Sequence, residues 1–299
     1  MRFQSSGAMS MAQADEGTAL DLPHDTEGGT AMGTTSAWAI QSRDERPSPA
    51  QVERFGGEPG MVRRGPSFPG ARDNKLLAHL PPEIFGRLAP YLQPVRLQQQ
   101  EVLFRAQEPL ETVYFPDTAV VSLVSRLESG QALEVGLVGR DGVVGAALFP
   151  GITTMTCDGI VLILGSARRI NADVLRRELL ANESLHSAIG RFVQVLLVRS
   201  MQMSVCNAFH EIERRCVRWL LTVNDLIAEG EIPLTHEGLA TMLGVRRPTV
   251  TLVLGSLQRA GLIHERRGRI LIGDRSRLEA ASCECYRVMR DEQQRLLGY

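Results

Sequence analysis

The chain has 299 residues, enough for about two domains at roughly 100–200 residues each. Apolar residues make up 43% and charged residues 22%, and 33 Lys+Arg against 34 Asp+Glu leave a net charge of −1. Most of the chain can therefore bury a core, and a polycation is excluded, so any nucleic-acid surface must be a local patch.

Five scattered cysteines (Cys157, Cys206, Cys216, Cys283, Cys285) are too few and too dispersed for a disulfide framework. A reducing cytoplasm is expected. The start, MRFQSSGAMSMAQADEG, lacks the apolar stretch of a signal peptide. No run approaches about 18 apolar residues, so no membrane span is expected.

Residues 1–72 hold ten Gly and six Pro, and no apolar period persists. Such a segment buries too little to offset its ordering entropy, so 1–73 reads as a disordered tail. A small folded cap is the other reading, and Met61 offers a second start. Order is expected from Asn74. Lys75 is the only lysine and follows Asn74, where a phosphate-cradling loop needs glycine, which removes Walker-type nucleotidases. At Leu80-Pro81-Pro82-Glu83-Ile84 a proline pair opens a short helix.

From about Val95 to Ile170 short apolar runs alternate with turn signals. The runs are Val102–Phe104, Val113–Phe115, Val120–Val124, Leu133–Val138 and Ile160–Leu164. The signals are Glu108-Pro109, Ser129-Gly130, Arg140-Asp141-Gly142, Pro150-Gly151 and Asp158-Gly159. That texture predicts an antiparallel β jelly roll, a sensor domain over 74–182. The glycines Gly139, Gly142 and Gly145 have the wrong spacing for a dinucleotide fingerprint. Neither GxSxG nor HExxH occurs, so no catalytic residue and no enzyme is expected. A metal-binding cupin would need histidines on the strands, and none lies between Leu80 and Leu185.

Asn171-Ala172-Asp173-Val174 reads as an N-cap and first turn. A stripe follows at Leu185, Ile189, Phe192 and Leu196, and Met203 continues it past Arg199. It predicts a long helix over 183–209 that pairs with its twin in a homodimer. Packing of the stripe on its own barrel is the competing reading. A further helix runs from Ile212 towards Gly230.

The next forty residues are the most informative. Thr235 can cap a short helix that buries Leu239, Ala240 and Leu243, and Gly244 can end it. Pro248 suits the first turn of a second helix, whose inner stripe is Val250, Val253, Leu254 and Leu257. This is a helix-turn-helix. Its outer face carries Arg246, Arg247, Thr249 and Thr251, at the part of a recognition helix that reaches base edges. Around Gly268, two short strands form a wing that presents Arg266, Arg267 and Arg269 to phosphates. From Arg246 to Arg275 there are seven arginines against two acids.

This order of elements, with Leu239-Ala240-x-x-Leu243-Gly244-Val245-x-Arg247-x-Thr249-Val250, resembles the Crp/Fnr family of bacterial transcription regulators over about residues 78–275. The resemblance implies an α+β protein: jelly roll, long dimerisation helix (183–209) and C-terminal winged helix-turn-helix (210–275). It implies double-stranded DNA and a second copy as partners, with RNA polymerase and an unknown effector as candidates. Arg247 falls on the family's base-reading arginine and Thr249 on its phosphate-contacting hydroxyl, while Pro248 and Leu252 replace two further base-contacting residues.

The cyclic-nucleotide site fares differently. By resemblance it is Gly139–Thr156, with Ala146 where the family has a ribose-binding glutamate and Met155 or Thr156 where it has a phosphate-binding arginine. No Arg, Lys or His occurs from Asp141 through Ala167. A buried phosphate there would lack a cation, so Gly145, Ala146, Met155 and Thr156 line a degenerate effector pocket. Iron–sulfur members carry cysteines ahead of the barrel, and none precedes Cys157 here. Ser276-Arg277-Leu278-Glu279 reads as a capping box opening one C-terminal helix over 276–299. On that helix Cys283 and Cys285 would point to different sides, poor metal geometry, so both read as packing residues with thiol redox sensing as the minority reading. No metal and no cofactor is expected. Two functions remain: a homodimeric DNA-binding regulator, or an interaction protein whose winged helix binds protein. The arginine pair favours the first.

Overall fold

The computed structural model describes residues 73–149, 151–227 and 230–299, and the tail expected over residues 1–73 lies outside them but for Asp73. The described residues belong to one compact unit, Pro47–Tyr299. Two short helices, α1 (Lys75–Ala78) and α2 (Pro82–Leu88), lead into seven strands. These are β1 (Gln93–Leu97), β2 (Val102–Phe104), β3 (Thr112–Pro116), β4 (Val120–Arg126), β5 (Ala132–Val138), β6 (Asp158–Ile163) and β7 (Gly165–Asn171). All pairings are antiparallel, in two sheets ordered β1-β7-β3 and β2-β6-β4-β5. Leu97, Phe115, Val121, Val138, Val161 and Ile170 are buried between them, and each stabilises the barrel by about 1.5–3 kcal/mol.

Two strand features differ from the expected pattern. Strand β7 reads as polar because Arg168 and Arg169 stand in it, yet it pairs on both sides, with β1 and β3. Asp158-Gly159, expected as a turn, is the start of β6, with Gly159 opposite Phe104 and Leu123. A side chain at Gly159 would overlap the Phe104 ring, so this glycine serves a close approach and not a bend.

Helix α3 (Ala172–Ala181) is capped by Asn171, whose Oδ1 accepts from the N–H groups of Asp173 and Val174. Helix α4 (Glu183–Phe209) follows. Its stripe does not point where a partner could meet it. Leu185, Ile189 and Phe192 are at most 1% exposed within the single chain, in the same core as the strands, with Leu196 packed against them. A Cβ at Gly142 would overlap the Phe192 ring, so closely does the barrel approach. Met203 is half-buried. Leu185, Ile189 and Phe192 are thus corrected from dimer contacts to core residues. Arg199 is no gap in the stripe, because its Nη2 donates to Asp141 Oδ2 and to Gln293 Oε1, both at 2.6 Å. The solvent-facing stripe lies elsewhere, at Leu197, Met201, Val205 and Phe209, which are 47–81% exposed. A helix apolar on two sides cannot reveal from its period alone which side meets the barrel.

Next come α5 (Ile212–Leu226), β8 (Ile232–Pro233), α6 (His236–Leu243), α7 (Arg247–Arg259), β9 (Ile263–Arg266) and β10 (Arg269–Ile272). The C-terminal segment is two helices, not one: α8 (Arg275–Ala281) and α9 (Glu284–Leu297). The cap is Asp274, whose Oδ1 accepts from Arg277 N–H, and not a Ser276 capping box. Ser282 and Cys283 are extended (ψ 166 and 160) and break the helix. No helix among the described residues is long and apolar enough to cross a membrane.

Candidate nucleic-acid interface

The helix-turn-helix forms as its residues dictate. The Thr235 hydroxyl accepts from Gly238 N–H at 3.1 Å and caps α6, which Gly244 ends in the left-handed region at φ 64. Three residues later α7 starts, with Pro248 in its first turn. Leu239, Ala240 and Leu243 of α6 pack on Val250, Val253, Leu254 and Leu257 of α7, all buried. Strands β8, β10 and β9 form the winged sheet in that order. Its hairpin closes through Arg267 (φ 49) and Gly268 (φ 73), two left-handed residues that suit a tight two-residue turn.

The outer face separates free from engaged groups. Arg246, Arg247, Arg266 and Arg267 are exposed and make no ion pair among the described residues. Thr249 is half-buried. The Thr251 hydroxyl is already held, donating to Arg247 O at 3.2 Å and lying 2.9 Å from His236 Nδ1. Arg269 pairs with Glu231 at 3.3 Å, a pair exposed on both sides and worth at most about 1 kcal/mol, so a phosphate can replace the glutamate. Arg275, counted in the local charge from sequence, is engaged by Asp225, Glu279, Asn224 and the Tyr286 hydroxyl. Its four partners hold it, and α8 with it, against α5.

Sequence reasoning missed the brace of this face. His236 at the start of α6 touches Thr251 of α7 through Nδ1 and Glu265 of β9 through Nε2, at 2.7 Å. Gln258 of α7 accepts from Glu265 N–H. Together they fix the wing relative to the second helix. His236 was visible in the sequence, but nothing local signalled that it bridges elements 15 and 29 residues away.

Residues 214–281 match the family model for the Crp-like helix-turn-helix domain. No curated protein matches the chain. Among solved structures, FixK2 from Bradyrhizobium japonicum matches at TM-score 0.57 and 17% identity, over 64% of this chain and 98% of that one. The c-di-GMP-responsive regulator CLP of Xanthomonas campestris matches at 0.51 and 22%, over 64% and 99%. TTHB099, a Crp-family transcriptional regulator from Thermus thermophilus, matches at 0.52 and 21%, over 63% and 96%. The chain has the Crp/Fnr regulator fold.

The Crp-like domain is locked to the barrel through β5. Leu133 lies against Gly244 of the helix-turn-helix. Glu134, 3% exposed, accepts from Ser122 Oγ at 2.8 Å and from Trp219 Nε1 of α5 at 2.7 Å. Burial, above all, pushes its carboxyl up to about 7, with the Ser122 and Trp219 hydrogen bonds and the Arg218 charge acting the other way. In the segment expected to be a degenerate effector pocket, Gly145 is left-handed and Ala146 is buried with Leu148 in the barrel core. Met155 packs against that core, and Thr156 is exposed.

Proposed function

We propose that this chain is a sequence-specific, DNA-binding transcription regulator that works as a homodimer and whose barrel takes no cyclic nucleotide. The observation that carries the reading is the exposed, unpaired Arg246–Arg247 pair at the first turn of α7, beside wing arginines Arg266 and Arg267. An arginine there can fork onto guanine O6 and N7, and the wing arginines can hold phosphates. A winged helix built for a protein partner has no need of four unpaired guanidinium groups on one module. The dimer reading now rests on Leu197, Met201, Val205 and Phe209 of α4, an apolar stripe of the kind that marks an interface. The nucleotide reading rests on the cation-free stretch 141–167 and on the burial of Ala146.

Selection from a random DNA pool supplies a cognate duplex, and binding is then compared with a scrambled one across a salt series. Arg247→Ala should cost about 1–3 kcal/mol per half-site on the cognate duplex and relax preference at one base pair. Arg266→Ala or Arg267→Ala should weaken both duplexes alike and lower the salt slope by about one per contact. If Arg247→Ala weakens both duplexes equally, Arg247 does not read bases. Calorimetry should find no cyclic AMP or cyclic GMP binding, and a low-micromolar constant for either overturns that part.

A further inference from the structure

Away from the arginine face, the fold gathers four residues from two segments more than 70 residues apart. Cys206 lies in the last turn of α4, and His210 is that helix's C-cap. Cys283 is the N-cap of α9, and Cys285 is in its first turn. Because Cys283 is extended and only Cys285 is helical, the two side chains do not splay around one helix, as the expectation of a continuous helix requires. Both instead face the α4 corner. The Cys206 and Cys283 sulfurs are 3.6 Å apart, and Cys285 Sγ is 3.4 Å from His210 Nδ1. All four ligand atoms lie within 4.8 Å of one another.

We propose that Cys206, His210, Cys283 and Cys285 form a closed Cys3His site for one divalent zinc-type ion. The convergence corrects the expectation that Cys283 and Cys285 point to different sides. A tetrahedron with metal–sulfur bonds of about 2.3 Å has sulfur–sulfur edges of about 3.8 Å, close to the 3.6 Å between Cys206 and Cys283. Four ligands at these distances suit a single ion, whereas a cluster of several irons holds its thiolates farther apart. The three cysteines are at most 3% exposed and the His210 side chain 16%, which leaves little room for a substrate and suits a structural site.

The surroundings support the same ligand class. His210 turns Nδ1 to the sulfurs and Nε2 to Glu284 Oε1 at 3.4 Å, the carboxylate–histidine arrangement that orients a metal-bound imidazole. Gln202 Nε2 donates to Cys285 Sγ at 3.2 Å. Three thiolates, one neutral imidazole and a divalent ion sum to one negative charge. The buried Arg218, whose Nε has no hydrogen-bond partner, faces Cys206 from α5 and offsets it. Zinc-type ions are favoured over magnesium or calcium because thiolate and imidazole are soft or borderline donors.

The site's position gives it a task. It pins the last helix of the chain to the corner where α4 hands over to α5. Helix α5 in turn carries Trp219 against the barrel, and its Arg215 donates to Leu243 O at the end of α6. A bound ion would therefore hold the corner from which the helix-turn-helix departs.

The test is a cobalt(II) titration of the full-length, reduced, metal-stripped protein, with metal content of the untreated protein measured alongside. One zinc per chain is expected. Cobalt should give one equivalent of tetrahedral d–d bands with sulfur-to-cobalt charge transfer, abolished by added zinc. Cys285→Ser and His210→Asn should weaken binding at least a hundredfold and change the spectrum. Glu284→Gln, on an exposed residue that leaves all four ligands in place, should weaken it about tenfold. Cys157→Ser, in the barrel, should change nothing. The proposal is overturned if folded wild-type protein gives no tetrahedral cobalt spectrum or if Cys285→Ser leaves the spectrum intact. An iron chromophore, or a Cys206–Cys283 disulfide in anaerobically purified protein, overturns it equally.

Discussion

Removing the charge of Glu134 should stabilise this protein at alkaline pH, and the size of the effect follows from its burial. The carboxyl is 3% exposed between β4, β5, α5 and α6, with Ser122, Trp219, Arg218 and Met242 around it. Its pKa rises from 4.5 to about 7, chiefly because burial penalises the charged form. The native state therefore binds more protons than the unfolded state between about pH 4.5 and 7. Stability falls as pH rises through that window. At about 1.4 kcal/mol per pH unit, the ionised carboxylate costs about 2–4 kcal/mol above pH 7. Glu134→Gln keeps the shape and an acceptor for the Trp219 indole, and its amide can donate to Ser122 Oγ. The variant should match wild type near pH 4.5 and exceed it by about 2–4 kcal/mol at pH 8. Urea denaturation at three pH values, followed by Trp219 fluorescence with Trp38→Phe as background, reads this directly. Equal stability at pH 8, or a gap that does not shrink towards acid, would refute the reasoning.

The two faces of α4 should respond differently. Phe192→Ala should cost about 3–5 kcal/mol of fold stability, whereas Met201→Glu should leave the fold intact and shift the mass in light scattering from dimer to monomer. Asp141→Ala should cost about 3–5 kcal/mol in denaturant titration, because it leaves Arg199, 6% exposed, without its carboxylate. Arg267→Asn should raise wing stability by a few tenths of a kcal/mol, measured by thermal unfolding, since asparagine accepts φ 49 more readily. The same variant should lose one phosphate contact in the salt slope. Cys157, pushed up to about 11 by burial and Asp158, should resist iodoacetamide at pH 8 in the native state but react in urea.

Local chemistry made the winged helix-turn-helix legible without any structure. Thr235, Gly244 and Pro248 each act on backbone within four residues, and Val250, Val253, Leu254 and Leu257 repeat at the helical period. Caps, breakers and short-range amphipathicity are written in neighbouring residues, so a one-dimensional reading recovers them. The same holds for the strands with continuous apolar runs. Strand β7 escaped because its arginines find distant partners, Arg169 in Gln93 of β1 and Arg168 in Asp117 just past β3. The face of α4 was undecidable because apolar residues line two sides, and only the barrel's position selects one. The Cys3His cluster was invisible for a related reason. Its members come from two segments more than 70 residues apart, and they converge only because Ser282 and Cys283 break the final helix. Sequence by itself determined the modules and the chemistry of the arginine face. Tertiary structure alone decided which apolar stripe is core, which arginines are free, and which cysteines meet. Those outcomes depend on contacts between residues distant in the chain, and no local period or cap encodes them.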